Sequence, residues 1–225
     1  MGKSKILIIE DNADTRKFLE AKLGKDFVVL TADNGVIGIE YARNRSPDLI
    51  LLDILLPVLS GYDVCNLLKK DEKTNRIPII ILSTKTSIQD ITQGFAQGAD
   101  DYISQPFNYK EFLARIQTRL RKTQDEITSI IVSGELKIDQ SNREITFEGK
   151  KIELTLTEHD ILRLLVLKSG SVVSREAILK EVWRDHSTQT QDRTIDVHIR
   201  AIRKKIPSLS KHILSVYGIG YQYEP

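Results

Sequence analysis

The chain has 225 residues, 40% of them hydrophobic and 28% charged, which fits one large or two small folded domains and excludes wholesale disorder. Lys plus Arg number 33 against 31 Asp plus Glu, a formal net charge of +2, so composition argues neither for nor against nucleic acid and any basic surface has to be local. One cysteine, Cys65, excludes an intrachain disulfide or a cysteine-built zinc site and fits a reducing cytoplasm, and no run approaches the roughly 18 apolar residues of a membrane helix.

Short apolar runs alternate with amphipathic stretches over the first 120 or so residues. Ile6–Ile9 is an apolar run of strand length that ends in Glu10 and Asp11. Asp14–Leu23 carries Phe18, Leu19 and Leu23 at helical spacing, and Gly24 follows as the expected C′ residue. Phe27–Thr31 predicts a strand, Val36–Arg45 a helix, and Leu49–Leu52 a second wholly apolar strand ending in Asp53. Tyr62–Lys70 predicts a helix, Ile77–Leu82 a strand, and Ile88–Gln97 a helix stopped by Gly98. Tyr102 and Ile103 form a short strand before Pro106, and Tyr109–Lys122 a long helix. Five βα units in series imply a parallel sheet covered on both faces, in one of a few doubly wound topologies.

Residues 123–133 are read as a linker between a domain at 1–122 and a second at 134–225. The second domain has strand patterns at Leu136–Ile138, Glu144–Phe147 and Lys151–Leu154, then helices at Glu158–Leu167, Arg175–Trp183 and Arg193–Ile206. Thr157 and Ser174 stand where N-caps are expected, with Glu158, Asp160 and Glu176 in the first turns. Ile213–Val216, a Gly-containing turn and Tyr221–Tyr223 predict a closing hairpin, making this domain α+β.

In an open α/β sheet, ligands bind beyond the carboxyl ends of the strands. Glu10, Asp11 and Asp53 therefore converge at one edge. Carboxylates so placed repel unless a cation sits among them, and hard oxygen donors with an open position suit Mg²⁺. Acids after strands also cap helices, but capping does not explain three of them together. The loop Glu10-Asp11-Asn12-Ala13-Asp14 is no phosphate cradle, which disfavours a dinucleotide-binding enzyme.

Several separated motifs carry a family resemblance. Ile6–Asp11, Leu51–Pro57 with Gly61, Leu82-Ser83, and Gly98–Ile103 before Pro106-Phe107 resemble a two-component response-regulator receiver domain. The resemblance implies a five-stranded flavodoxin-like fold and makes Asp53 the phosphoacceptor for a sensor histidine kinase. Glu10, Asp11, Asp53 and the Leu55 carbonyl would hold Mg²⁺, Ser83 would donate to the phosphoryl group, and Tyr102 would turn inward as Ser83 moves. It also implies a homodimer on activation, with Asp100, Asp101, Glu111 and Arg115 in cross-subunit ion pairs. Ile91 stands where a basic residue is often found, which predicts a weaker, more apolar dimer. Gln105 stands where the family has Lys; it donates a neutral hydrogen bond and carries no charge, so uptake of phosphate and coupling to the switch separate at this residue.

In Arg193–Ile206, Ile195, Ile199, Ile202 and Ile206 form one apolar stripe. The rest of the circumference carries Arg193, Thr194, Val197, His198, Arg200, Ala201, Arg203, Lys204 and Lys205 against one acid, Asp196. Three helices followed by a hairpin suggest a winged helix-turn-helix with this helix in a major groove. The segments Val173–Glu176, Asp192–Ile199, Arg203–Lys205 and Gly218–Tyr221 resemble the effector domain of OmpR/PhoB-type regulators. That resemblance makes Arg175, Arg193, Arg200 and Arg203 phosphate contacts, Thr194, Val197 and His198 base-facing residues, and Lys204 and the wing residue Tyr217 further DNA contacts. It implies promoter DNA as partner, and RNA polymerase opposite the loop Trp183–Gln191. The whole reads as a phosphorylation-regulated transcription factor, with a phosphorylation-independent regulator as alternative. A Mg²⁺-dependent phosphohydrolase, the rival of another class, wants a second acid two residues after Asp53, where Leu55 stands.

Overall fold

The computed structural model describes residues 3–120, 130–140, 143–183 and 192–225. The chain divides into two compact units, Met1–Leu120 and Arg121–Pro225.

In the first unit the elements run β1 (Lys5–Ile9), α1 (Ala13–Leu23), β2 (Val28–Ala32), α2 (Gly35–Arg45), β3 (Leu49–Asp53), α3 (Gly61–Lys70), β4 (Ile79–Ser83), α4 (Ile88–Ala96), β5 (Asp101–Ser104) and α5 (Tyr109–Leu120). The five strands form one sheet in the order β2-β1-β3-β4-β5, every pair parallel. Ile6, Ile8, Leu49, Leu51, Ile80 and Leu82 share a fully buried cluster with Leu19, Leu23, Phe112 and Ile116. Burial on both faces is why these strands lack polar alternation. Short polar residues start the helices: Asn12 accepts from the amides of Asp14 and Thr15, and Asn34, Ser60 and Ser87 cap α2, α3 and α4. Gly24 ends α1 in a right-handed conformation (φ −62°) instead of the left-handed one expected.

In the second unit, β6 (Ile130–Ser133), β7 (Leu136–Asp139), β8 (Glu144–Phe147) and β9 (Lys150–Ile152) form an antiparallel meander. Then come α6 (Leu156–Leu167), β10 (Val172–Ser174), α7 (Arg175–Trp183), α8 (Asp192–Lys205), a 3₁₀ turn at Pro207–Lys211, β11 (Ile213–Val216) and β12 (Gly220–Tyr223). β12 lies between β10 and β11, antiparallel to both.

Two expectations change. Residues 130–133 belong to the meander, because Ile130–Ser133 pairs with Leu136–Asp139; residues 123–129 of the expected linker lie outside the described residues. The cap of α6 is Thr155, not Thr157. Thr155 and Glu158 form a reciprocal capping box, and Thr157 is fully buried inside the helix.

One backbone approach fixes the site. Gly61 donates to the Ile54 carbonyl at 2.9 Å, and a Cβ on Gly61 would stand 2.0 Å from the Asp53 carbonyl oxygen. Gly61→Ala is expected to lose about 2 kcal/mol or more of stability, because the obstacle is backbone that cannot step aside. Denaturant unfolding of the two proteins checks this.

Candidate functional site

β1 and β3 are neighbours, and their carboxyl ends bring Glu10, Asp11 and Asp53 to one edge. Their carboxylate oxygens lie within 4.8 Å of one another. Glu10 is 5% exposed, Asp11 exposed and Asp53 half-buried. The Glu10 carboxyl accepts from the Asn12 amide at 3.2 Å, and Arg16 donates to the carbonyls of Glu10 and Asp11 at 2.6 and 3.0 Å. Arg16 thus fixes the loop backbone and pairs with none of the three carboxylates, though its charge lowers the Glu10 pKa slightly. Burial, followed by the neighbouring charge of Asp53, pushes the Glu10 pKa up to about 7. Asp53 is raised too, chiefly by burial, with amide hydrogen bonds from Leu55 and Ile54 opposing it. A set of hard oxygens that resists full ionisation near neutral pH is what a small divalent cation fits.

Ser83 and Tyr102 sit on β4 and β5 at the same edge, 1% and 2% exposed. Both engage Lys85, which the sequence reading did not single out. The Ser83 hydroxyl oxygen accepts from the Lys85 amide at 3.1 Å, and the Tyr102 hydroxyl donates to the Lys85 carbonyl at 2.9 Å. Tyr102 is therefore inward in this structure. Gly94 makes room for it, since a Cβ there would stand 3.0 Å from the ring. On α3, the Tyr62 hydroxyl donates to the Asp90 carbonyl at 3.1 Å and ties down the start of α4. The Gln105 backbone N–H donates to the Ser83 carbonyl at 2.7 Å, and the residue lines a cavity of about 580 Å³ with Phe18, Phe107 and Tyr109.

The residues expected at a dimer surface are otherwise engaged. Asp100 is fully buried and pairs with Lys69 at 2.7 Å. Arg115, 2% exposed, pairs with Asp101 at 2.9 Å and Glu111 at 2.8 Å inside one chain. Ile91 is 9% exposed, part of the core. Within the unit, Asp100, Asp101, Glu111 and Arg115 each already have an ion-pair partner.

In the second unit, Asp196, Arg200 and Lys204 are exposed on α8, and Val197 and Arg203 half-buried. Thr194 and His198 are corrected. They are 3% and 1% exposed, and the His198 ring packs 5.9 Å from Trp183. The buried arc of α8 takes in 194, 195, 198, 199 and 202, wider than the isoleucine stripe alone. Neither Thr194 nor His198 lies on the exposed face of α8. The Arg193 side chain and the loop 184–191 lie outside the described residues. Tyr217, at the hairpin tip, is fully exposed. Arg175, at the start of α7, pairs with Asp196 at 2.9 Å.

A family model of the response regulator receiver domain matches residues 6–117, and one of the C-terminal region of transcriptional regulatory proteins matches 149–223. The DNA-binding response regulator MtrA of Mycolicibacterium smegmatis is 34% identical over 227 residues, 99% of this chain and 98% of the relative. A protein named "Probable transcriptional regulator ycf27" from Porphyra purpurea is 38% identical over 235 residues, 99% of this chain and 95% of the relative. Among solved structures, the response regulator DrrB, a Thermotoga maritima OmpR/PhoB homolog, is 30% identical over the whole of both chains with a TM-score of 0.52. A RitR mutant is 27% identical over 98% of each chain, with a TM-score of 0.76.

The Glu10 pKa gives a stability prediction for the metal-free protein. A carboxyl whose folded pKa is raised stabilises the fold below its unfolded pKa, and that stability is lost as pH rises through about 7. Glu10→Gln, which cannot ionise, is expected to be more stable than the wild type at pH 8, by at most about 3 kcal/mol. Near pH 4 the two should be alike. Thermal unfolding at the two pH values, with a chelator present, checks this.

Proposed function

Since the chain belongs to the DNA-binding response regulators, a receiver domain followed by a C-terminal DNA-binding domain, we propose that Asp53 accepts a phosphoryl group from a sensor histidine kinase and thereby regulates promoter binding. The observation that carries this reading is the convergence of Glu10, Asp11 and Asp53 within 4.8 Å, with Ser83 at the end of a neighbouring strand. The Asp53 carboxylate oxygen forms the new bond to phosphorus in line with the phosphorus–nitrogen bond of the donor histidine. That bond breaks, and its electron pair stays on the imidazole nitrogen. Glu10, Asp11, Asp53 and the Leu55 carbonyl would hold Mg²⁺, which when bound supplies positive charge against the phosphoryl oxygens. The Ser83 oxygen accepts from the Lys85 amide, which leaves its O–H proton free to donate to the phosphoryl group; a turn of the side chain toward that group would release the Lys85 amide. Ser83 and Tyr102 both meet the Lys85 backbone, so that residue would couple the site to α4.

Promoter contacts fall on the exposed face of α8 and on the hairpin. Arg200 and Lys204, with Arg175 and the partly exposed Arg203, supply phosphate contacts; Val197 faces the bases, and Tyr217 reaches from the wing. RNA polymerase and, on activation, a second copy of the chain complete the partners of this reading, and the compartment is the cytoplasm. Dimerisation then requires Asp101, Glu111 and Arg115 to exchange partners inside the chain for partners across an interface.

Two measurements test the reading. Intact mass after acetyl phosphate treatment with Mg²⁺ is expected to rise by about 80 Da, one phosphoryl group, and not to rise in Asp53→Asn. An equal gain in Asp53→Asn overturns the assignment. Gln105 carries no charge to read the phosphoryl group, so the shift between inactive and active arrangements is smaller. Gln105→Lys is expected to enlarge, by about tenfold, the gain in DNA affinity produced by beryllofluoride; an equal gain in both proteins contradicts the role given to this position.

A further inference from the structure

We propose that Asp196 is a positioning residue for DNA recognition: its carboxylate fastens α8 to the wing through Tyr221 and to α7 through Arg175, and so fixes the angle at which the recognition helix meets a groove. The inference rests on the DNA-binding reading of α8 and extends it to a residue that contacts neither base nor phosphate.

Asp196 is an acid on the face that also exposes Arg200 and Lys204, and its side chain is 46% exposed. An acid there opposes the attraction between this face and a polyanion, so its presence calls for a physical reason. The structure supplies one. A single oxygen, Oδ1, accepts from the Arg175 Nε–H at 2.9 Å and from the Tyr221 hydroxyl at 2.6 Å. Tyr221 is 4% exposed, and its strand pairs on both sides, opposite Val173 of β10 and Ser215 of β11. It is an anchor that cannot follow the helix. Burial and then the Asp196 hydrogen bond push the Tyr221 pKa up to about 12, so the hydroxyl remains a donor at any working pH.

The same ring carries two guanidinium groups, Arg175 at 5.0 Å and Arg203 at 5.8 Å from its centroid. Arg203 donates to the Ile213 carbonyl at 2.6 Å and to the Ser215 hydroxyl at 3.0 Å. Asp196 and Arg203 are two helical turns apart and lie on one side of α8. The helix is thus held to the wing at two points along its length. With one released, it can pivot about the other.

Such a pivot affects the two kinds of DNA contact differently. Coulombic attraction to phosphates tolerates small displacements, whereas contacts to base edges are directional. A positioning residue therefore acts on discrimination between sequences, and a merely structural one weakens all binding together.

The test uses the full-length protein. A preferred duplex is first selected from a random pool with the wild type. Affinities for that duplex and for a scrambled one are then measured for the wild type, Asp196→Asn and Tyr221→Phe. Asp196→Asn removes a negative charge, so its affinity for the scrambled duplex is expected to hold or rise, while the ratio of the two affinities falls about tenfold. Tyr221→Phe changes no charge and keeps the ring. It is expected to leave scrambled binding within about twofold and to lower the ratio in the same direction. A ratio unchanged in both variants overturns the proposal, and so does an equal loss on both duplexes. If Asp196→Asn fails a thermal-melt check, Tyr221→Phe decides alone. A wild type that discriminates between no duplexes overturns the recognition reading itself, and this proposal with it.

Discussion

Three carboxylates within 4.8 Å of one another, one of them almost wholly buried, are an arrangement that folding alone would avoid. Water is excluded from Glu10 by the sheet, and the charge of Asp53 adds to the penalty, so Glu10 keeps its proton to about pH 7. Among the described residues no side-chain cation forms an ion pair with the set: Arg16 donates its Nη1 to backbone carbonyls, and its charge offsets the rise at Glu10 only weakly. The site is left with an unmet electrostatic demand, and a divalent cation followed by phosphoryl chemistry is the reading that meets it.

The scaffold enforces that demand through backbone rather than side chains. Parallel neighbours β1 and β3 bring Glu10 and Asp53 to one edge, and Gly61 closes against the carbonyl of Asp53 so tightly that no side chain fits. Next to this rigid half lies a softer one. Ser83 and Tyr102 meet on the backbone of Lys85, in a loop capped by Ser87 at the start of α4. A change at the end of β4 can reach the start of α4 through the Lys85 backbone, without rearranging the sheet. In the second unit the logic is similar, with Asp196 and Tyr221 holding a charged helix on a paired strand.

Much of this was legible in the sequence. Apolar runs ending in acids marked β1 and β3, and the spacing of five βα units marked the parallel sheet, because burial on both faces leaves an unbroken hydrophobic run. What escaped depended on contacts distant in sequence. Thr155 outcompeted Thr157 as a cap because Glu158 answers it reciprocally. Thr194 and His198 looked outward because the isoleucines alone defined the stripe, while Trp183 packs beside His198 and widens it. Asp100 and Arg115, read from the sequence as partners across a dimer interface, pair within the unit with Lys69 and Asp101, contacts no sequence pattern announced. Lys85 carried no signal at all, since its role lies in its backbone amide and carbonyl. Gln105 was visible only as a departure from a family pattern.

The most direct test of the electrostatic account is the titration of the Glu10 carboxyl itself, followed by carbon NMR on selectively labelled protein with and without Mg²⁺. The account predicts a midpoint near 7 in the metal-free protein and a fall when Mg²⁺ is added, because the cation's charge favours the ionised carboxylate over the buried neutral form and offsets the repulsion from Asp53 and Asp11. A midpoint near 4.5 without metal, the model-compound value, or one that Mg²⁺ leaves unmoved, would contradict it.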